Sequence, residues 1–159
     1  GINFYDKELI TLASKSSGLN EEYIEESEQK LVNAKFENNN DDRIFIAEEK
    51  VIKRLAKENS CVIVGRCADY ILKDQKNVTK IFLYSDDKHK VDRAVKYYNL
   101  KRDSALREIN KINKLRAKHY KYSTDRNWYD YSNYDLAINV DVLGVSKTAD
   151  LIKDYISTK

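Results

Sequence analysis

Residues 60–69 read Ser60-Cys61-Val62-Ile63-Val64-Gly65-Arg66-Cys67-Ala68-Asp69. The run from Cys61 to Val64 is short, apolar and rich in β-branched residues, which predicts a strand buried on both faces, as in a parallel sheet. Arg66 then lies at the carboxyl end of that strand, where open α/β sheets bind ligands. Because a guanidinium matches the geometry of phosphate, this arginine indicates a phosphorylated ligand, although pairing with a nearby carboxylate explains it equally well.

The rest of the chain alternates between helical and strand-like patterns. Apolar residues at helical spacing predict helices from Asp6, from about Glu21, from Asp42, over 88–98, over about 102–122 as a helical pair, and over 146–156. Two more apolar runs, at 80–84 and 134–139, predict strands. Aspartates are expected to cap the helix from Asp6 and, within 85–87, the helix that follows. Strands that alternate with helices indicate an α/β fold with a parallel sheet covered on both faces.

Composition limits the classes of function. The 159 residues suffice for one domain, and 29 basic against 26 acidic residues give a net charge of only +3, which argues against nucleic acid as an obligate partner. The two cysteines fit neither a zinc cluster nor a redox pair, and neither histidine has ligand-like neighbours in the sequence, so no metal site is predicted. No apolar run approaches the ~20 residues that span a bilayer. These features predict a cytoplasmic protein without membrane contact; they do not determine its oligomeric state.

Four segments together resemble the cytidylate kinase-like family: FYDKELI at 4–10, CVIVGRCADYIL at 61–72, KLRAKHY at 114–120 and YDLAIN at 134–139. The resemblance implies a P-loop nucleoside monophosphate kinase-like fold, in which helices flank a parallel sheet and a helical lid covers the phosphates. It implies one domain over 1–159, with a monophosphate-binding region at about 20–45 and a lid at about 102–131. The implied reaction transfers the γ-phosphoryl group of ATP to a pyrimidine monophosphate such as CMP, with Mg²⁺.

The same resemblance assigns three residues to the acceptor nucleotide. Arg66 matches the arginine of the family's Gly-Arg-Asp stretch, which faces the acceptor monophosphate. Cys67 stands where cytidylate kinases carry the aspartate that helps to read cytosine, and Asp69 could substitute for it, although a helix cap or dipole partner is the alternative for Asp69. Asp6 matches the aspartate that opens the monophosphate-binding helix, where a simple N-cap is the alternative.

Two further arginines are implied to act in catalysis. Arg116 matches a lid arginine, which would stabilise charge on the transferring phosphoryl oxygens, and a solvated position on a basic helix is its alternative. Arg93 matches an arginine near the nucleotide base or phosphates. Asn113 occupies the position of a lid aspartate in cytidylate kinases and cannot carry that charge.

The chain departs from the family in its phosphate-binding loop. With glycine only at positions 1, 18, 65 and 144, no G-x-x-x-x-G-K-[ST] motif can be written, so no ATP-phosphate residues are assigned. Family members place the first strand and this loop just before the segment that matches 4–10, and we expect the biological protein to be longer than these residues. One alternative is a catalytically inactive, nucleotide-sensing or regulatory domain. Another is a single-stranded RNA-binding module that uses the aromatic tract 120–131.

Overall fold

The computed structural model describes residues 1–30 and 39–158. Its elements, in chain order, are β1 (Asn3–Tyr5), α1 (Glu8–Ser17), α2 (Glu21–Lys30), α3 (Asn39–Glu58), β2 (Cys61–Ile63), α4 (Ala68–Ile71), β3 (Ile81–Tyr84), α5 (Asp87–Tyr98), α6 (Arg102–Thr124), a 3₁₀ turn (Tyr131–Asn133), β4 (Leu136–Asn139) and α7 (Val140–Ser157). Positions 31–38, part of the predicted monophosphate-binding region, lie outside the described residues.

The chain divides into two compact units. The first unit comprises Gly1–Lys76 and Leu115–Trp128, and the second comprises Asn77–Lys114 and Tyr129–Lys159. A single domain over the whole chain stays a prediction. Within the described residues, no helix combines the length and the apolar character needed to cross a lipid bilayer.

The sheet of the first unit is a parallel pair of strands, β1 and β2, in which Phe4 lies opposite Val62. The strand predicted after Ser60 is therefore confirmed, but its burial on both faces is wrong. Val62 and Val64 are 43% and 45% exposed, and Phe4 is 58% exposed, whereas the alternate residues Cys61 and Ile63 are half-buried. A two-stranded sheet whose side chains alternate in this way buries only one of its faces.

Helices α1, α2 and α3 build the core of the first unit. Ile10 and Ala13 of α1 pack with Ile24 of α2 and with Ile44 and Ala47 of α3. Such burial follows from the apolar stripe at helical spacing that the sequence shows in α1 and α3.

The start of α1 differs from the predicted aspartate cap. Lys7 occupies the N-cap position without a side-chain cap hydrogen bond. Asp6 contributes its backbone carbonyl, which accepts a hydrogen bond from the N–H of Leu9 at 3.3 Å. The predicted stop at Gly18 is confirmed: this glycine adopts φ 72° and its N–H donates to the carbonyl of Ser14.

The second unit contains the parallel pair β3 and β4, where Phe82 lies opposite Ala137. Both strands and α5 were predicted, and Asp86 caps α5 by accepting a hydrogen bond from the N–H of His89. Helix α7 begins earlier than predicted, because Asn139 caps its start by accepting a hydrogen bond from the N–H of Asp141. A break at Gly144, with φ 71° and ψ 170°, separates this first part from the rest of the helix.

The structure differs from the sequence-based prediction in two features of its architecture. The basic stretch predicted as a pair of helices is one helix, α6, over Arg102–Thr124, because no glycine or proline interrupts it. In the described part of the chain, the strands form two separate parallel pairs, one in each unit. The α/β class with parallel pairing is confirmed, whereas a continuous P-loop kinase-like sheet is not.

Candidate functional site

Arg66 lies on a strained turn between β2 and α4. Gly65, Arg66 and Cys67 have φ values of 75°, 55° and 54°, so three consecutive residues adopt the left-handed conformation. Glycine tolerates this conformation, but each of the other two residues loses about 1 to 3 kcal/mol by adopting it. The N–H of Val64 donates to the carbonyl of Tyr5 at 2.9 Å, which holds the entry to the turn against β1. Strain of this kind clusters at sites that must present a side chain in one fixed direction.

The guanidinium of Arg66 pairs with a buried carboxylate. Its Nη1 lies 3.4 Å from Oε1 of Glu48, and the two side chains are 13% and 0% exposed. The pairing alternative that the sequence left open for Arg66 is therefore realised. Because 13% of the Arg66 side chain remains exposed, the pairing with Glu48 does not close this side chain off from solvent.

The surroundings of Arg66 are mixed in charge. Burial is the main reason that the pKa of Arg66 lies below its ordinary value, and the nearby charge of Arg116 lowers it further. Asp6 and Glu25 act in the opposite direction and favour the charged guanidinium. The charges of Asp6 and Arg116, both predicted as site residues, therefore act on Arg66.

Asp69 has a defined partner within the first unit. The hydroxyl of Tyr120 donates to its Oδ2 at 2.6 Å, which joins α4 to the last part of α6. This contact is a packing role that sequence reasoning did not anticipate, and it competes with the predicted contact to the base. The buried thiol of Cys67, beside it, has its pKa raised to about 12 by burial and by the charges of Asp69 and Glu48, so it is no nucleophile at neutral pH.

Sequence reasoning missed one buried and one half-buried titratable residue near Arg66. One is Glu48, and burial raises its pKa to about 8. The other is His119, whose pKa falls to about 4 through burial and the charge of Arg66. Among the described residues, Oε2 of Glu48 and Nε2 of His119 are buried without a hydrogen-bond partner. Glu48 was detectable, because it lies one helical turn from both Ile44 and Ile52 on the apolar face of α3.

Arg93 belongs to the second unit. It lies on α5 with its guanidinium carbon 5.3 Å from the ring centroid of Tyr97, and its side chain is exposed. This geometry is a cation–π contact on a helix surface. A catalytic role for Arg93 stays a prediction.

The second unit holds a cluster that the sequence did not suggest. His89, expected to lack ligand-like neighbours, has Nδ1 2.9 Å from Asp86 and 3.6 Å from Asp141. The ligand atoms of these three residues lie within 4.8 Å of one another, a spacing that a metal ion could bridge. The carboxylate of Asp141 already accepts hydrogen bonds from Ser85 and from the N–H of Asp86, both at 2.6 Å. The cluster therefore fastens the end of β3 to the start of α7.

The aromatic tract 120–131 takes part in packing. Tyr120 is only 4% exposed, and the guanidinium of Arg126 lies 5.1 Å from the ring centroid of Tyr70. In the second unit the ring of Tyr131 stacks on that of Tyr84, with centroids 5.7 Å apart. The ring of Tyr131 thus already stacks on another aromatic ring, as it would on a nucleobase, and RNA binding by the tract stays a prediction.

Comparison with known proteins identifies a family and similar solved structures. A family model described as the cytidylate kinase-like family matches residues 1–142. A solved structure of an uncharacterized protein from Eubacterium ventriosum ATCC 27560 is similar, with 26% sequence identity and a TM-score of 0.73. The similarity covers 99% of this chain and 85% of that one. No curated protein matches the chain.

Proposed function

The chain belongs to the cytidylate kinase-like family, which indicates a kinase-like, nucleotide-related function, and we propose that it is a nucleoside monophosphate kinase-like phosphotransferase. The proposed reaction transfers the γ-phosphoryl group of ATP to the phosphate of a pyrimidine monophosphate such as CMP. The observation that supports an anionic acceptor is Arg66, a guanidinium held at the end of β2 by a strained backbone and a buried carboxyl.

On the acceptor side, the residues of the first unit bind and orient. Arg66 offers the donors of a planar fork to the acceptor phosphate, and its position is fixed before the ligand arrives. Such preorganisation lowers the entropic cost of binding. Arg116, whose charge acts on Arg66, adds positive charge where the transferring group accumulates negative charge. We assign Asp6 and Asp69 to the edge of this site, with Asp69 held by Tyr120.

On the ATP side, the described residues contain no glycine-rich loop that fits the triphosphate. Gly18 ends α1, Gly65 opens the strained turn and Gly144 breaks α7, and none begins a phosphate-binding loop. In the turn at Gly65, the glycine carbonyl already accepts the N–H of Ala68 at 3.1 Å. When bound, Mg²⁺ would neutralise phosphate charge.

Calorimetric titration with CMP tests the acceptor site. Because lysine carries the charge of arginine without its fork, Arg66→Lys should weaken CMP binding about tenfold or more while keeping a cation beside Glu48. Arg54→Lys is the matched control, since Arg54 lies on α3 with 53% of its side chain exposed. Equal CMP affinity in the wild type and Arg66→Lys would remove Arg66 from the site.

A second candidate function is nucleotide binding without phosphoryl transfer. It is favoured by the fact that residues 1–159 contain no G-x-x-x-x-G-K-[ST] motif. Titration of the 159-residue polypeptide with ATP and Mg²⁺ tests the ATP side of the proposed site separately from its acceptor side. We expect no ATP affinity tighter than about 1 mM, alongside measurable CMP affinity. Micromolar, magnesium-dependent ATP binding by these residues would contradict our reading of the ATP side.

A further inference from the structure

Glu48 pairs with Arg66 and is the more deeply buried of the two side chains. Its side chain is fully buried, whereas that of Arg66 keeps 13% exposure, and Oε1 lies 3.4 Å from Nη1. Of the two side chains, only that of Arg66 is open to an anion that approaches from solvent. The carboxyl can act on such a ligand only through the arginine.

The second oxygen of Glu48 indicates which protonation state the site favours. Among the described residues, Oε2 is buried and has no hydrogen-bond partner. An ionised carboxylate with a bare, buried oxygen is strongly disfavoured, whereas a neutral carboxyl in the same place loses far less. The rise in the pKa of Glu48 to about 8 through burial agrees with this geometry.

The positive charge of Arg66 does not depend on an ionised Glu48. Other charged and titratable groups act near this pair: Asp6, Glu25, Cys67, Asp69, Arg116 and His119. The two acidic residues that act directly on Arg66, Asp6 and Glu25, favour its charged form. Protonation of Glu48 therefore leaves a charged guanidinium that still has compensating carboxylates.

We propose that Glu48 is a positioning residue for Arg66 and that it carries a proton when the acceptor phosphate binds. The proposal rests on the proposed function, because it takes the acceptor phosphate to be the ligand of Arg66. With Glu48 ionised, the Arg66–Glu48 pair has no net charge and attracts a phosphate weakly. With Glu48 protonated, the pair carries one positive charge, and the proton that enters comes from solvent.

Affinity for a monophosphate is highest where Glu48 is protonated and falls as pH rises through about 8. Ionisation of the ligand does not cause this fall in affinity, because the second pKa of a phosphate monoester is about 6. His119, with a pKa of about 4, and Cys67, with a pKa of about 12, do not titrate there either.

CMP titrations at pH 7 and pH 9 test the proposal. For the wild type, the affinity should fall about tenfold across this range, as expected for a binding-competent form with a pKa near 8. Glu48→Gln keeps the shape and cannot ionise, so its CMP affinity should stay constant. Glu49→Gln is the matched control, because Glu49 lies next to it on α3 in an exposed pair with Lys53, and it should behave as the wild type.

A second measurement makes the test independent of the folding of the variant. Titrations of the wild type at pH 8.5 in buffers of different ionisation enthalpy should show proton uptake with CMP and none with cytidine, which lacks the phosphate. Absence of CMP binding at every pH would overturn both the proposed function and the inference. CMP binding with constant affinity from pH 7 to pH 9, or a fall that persists in Glu48→Gln, would overturn the inference alone.

Discussion

The hydroxyl of Tyr120 on α6 donates a hydrogen bond of 2.6 Å to the carboxylate of Asp69 on α4. Tyr120 is 4% exposed, so this hydrogen bond lies at the edge of the core of the first unit. It occupies one oxygen of a carboxylate that the family resemblance assigns to the substrate. The same contact also fixes the helix that carries Arg116 to the helix that follows Arg66.

Tyr120→Phe should destabilise the protein by about 1 to 3 kcal/mol, because it leaves a charged acceptor without its donor. Urea denaturation of Tyr120→Phe, Asp69→Asn and the double variant measures the coupling between the two side chains. We expect the two single losses to be non-additive. If Asp69→Asn lost CMP affinity with unchanged stability, Asp69 would belong to the ligand site rather than to the packing.

Arg116→Ala should lower the turnover number for CMP phosphorylation by about 100-fold with little change in CMP affinity. The reason is that a lid arginine acts on charge that develops only in the transition state. Single-turnover kinetics of a longer form that carries the expected phosphate-binding loop measure this, with Lys114→Ala on the same helix as the control. An unchanged single-turnover rate would assign Arg116 to a solvated helix face.

His119 should make the protein sensitive to mild acid. Its folded pKa of about 4 lies below the ordinary value of 6.5, so its contribution is present above pH 6.5 and is lost as pH falls towards 4. The difference corresponds to about 3 kcal/mol of stability across that window. Urea denaturation at pH 7 and pH 4.5 should show a smaller loss in His119→Gln than in the wild type. Equal losses would mean that other groups cause the acid sensitivity.

His89 should act in the opposite direction. The hydrogen bond with Asp86 and the charge of Asp141 raise the pKa of His89. Its contribution is therefore fully present below its unfolded pKa and is lost as pH rises through the higher folded value. Because His89 is exposed, the effect on the melting temperature should be small. A histidine titration followed by NMR should show a raised pKa in the wild type and a normal one in Asp86→Asn; identical values would separate His89 from this cluster.

The parts of the structure that depend on local sequence could be predicted, and those that depend on distant contacts could not. The strands at β2, β3 and β4 and the helix α5 follow from short apolar runs and from the cap at Asp86. The contact between Asp86 and Asp141 joins residues 55 positions apart, and nothing in the local pattern indicates it. The burial of a strand depends on what covers it, which is why the exposure of Val62 was not foreseen.

The candidate site likewise contains a residue that the local sequence identifies and a partner that it does not. Arg66 was identified because its position after β2 is visible in the sequence, whereas its partner Glu48 lies 18 residues away on α3. A charged residue on the buried face of an amphipathic helix was the available signal. The left-handed backbone of Arg66 and Cys67 gives no signal, because neither residue type favours that conformation.

The parallel strand pairs have a consequence for the order of folding. Asn3 pairs with Cys61, and Ile81 pairs with Leu136, so each sheet forms only after a long intervening loop has closed. Contacts between such distant residues slow folding, and the helices between them can form much earlier. Until β1 meets β2, the apolar residues of both strands remain open to other chains. Refolding yield should therefore decrease with protein concentration, through association of partly folded chains rather than through instability of the folded state.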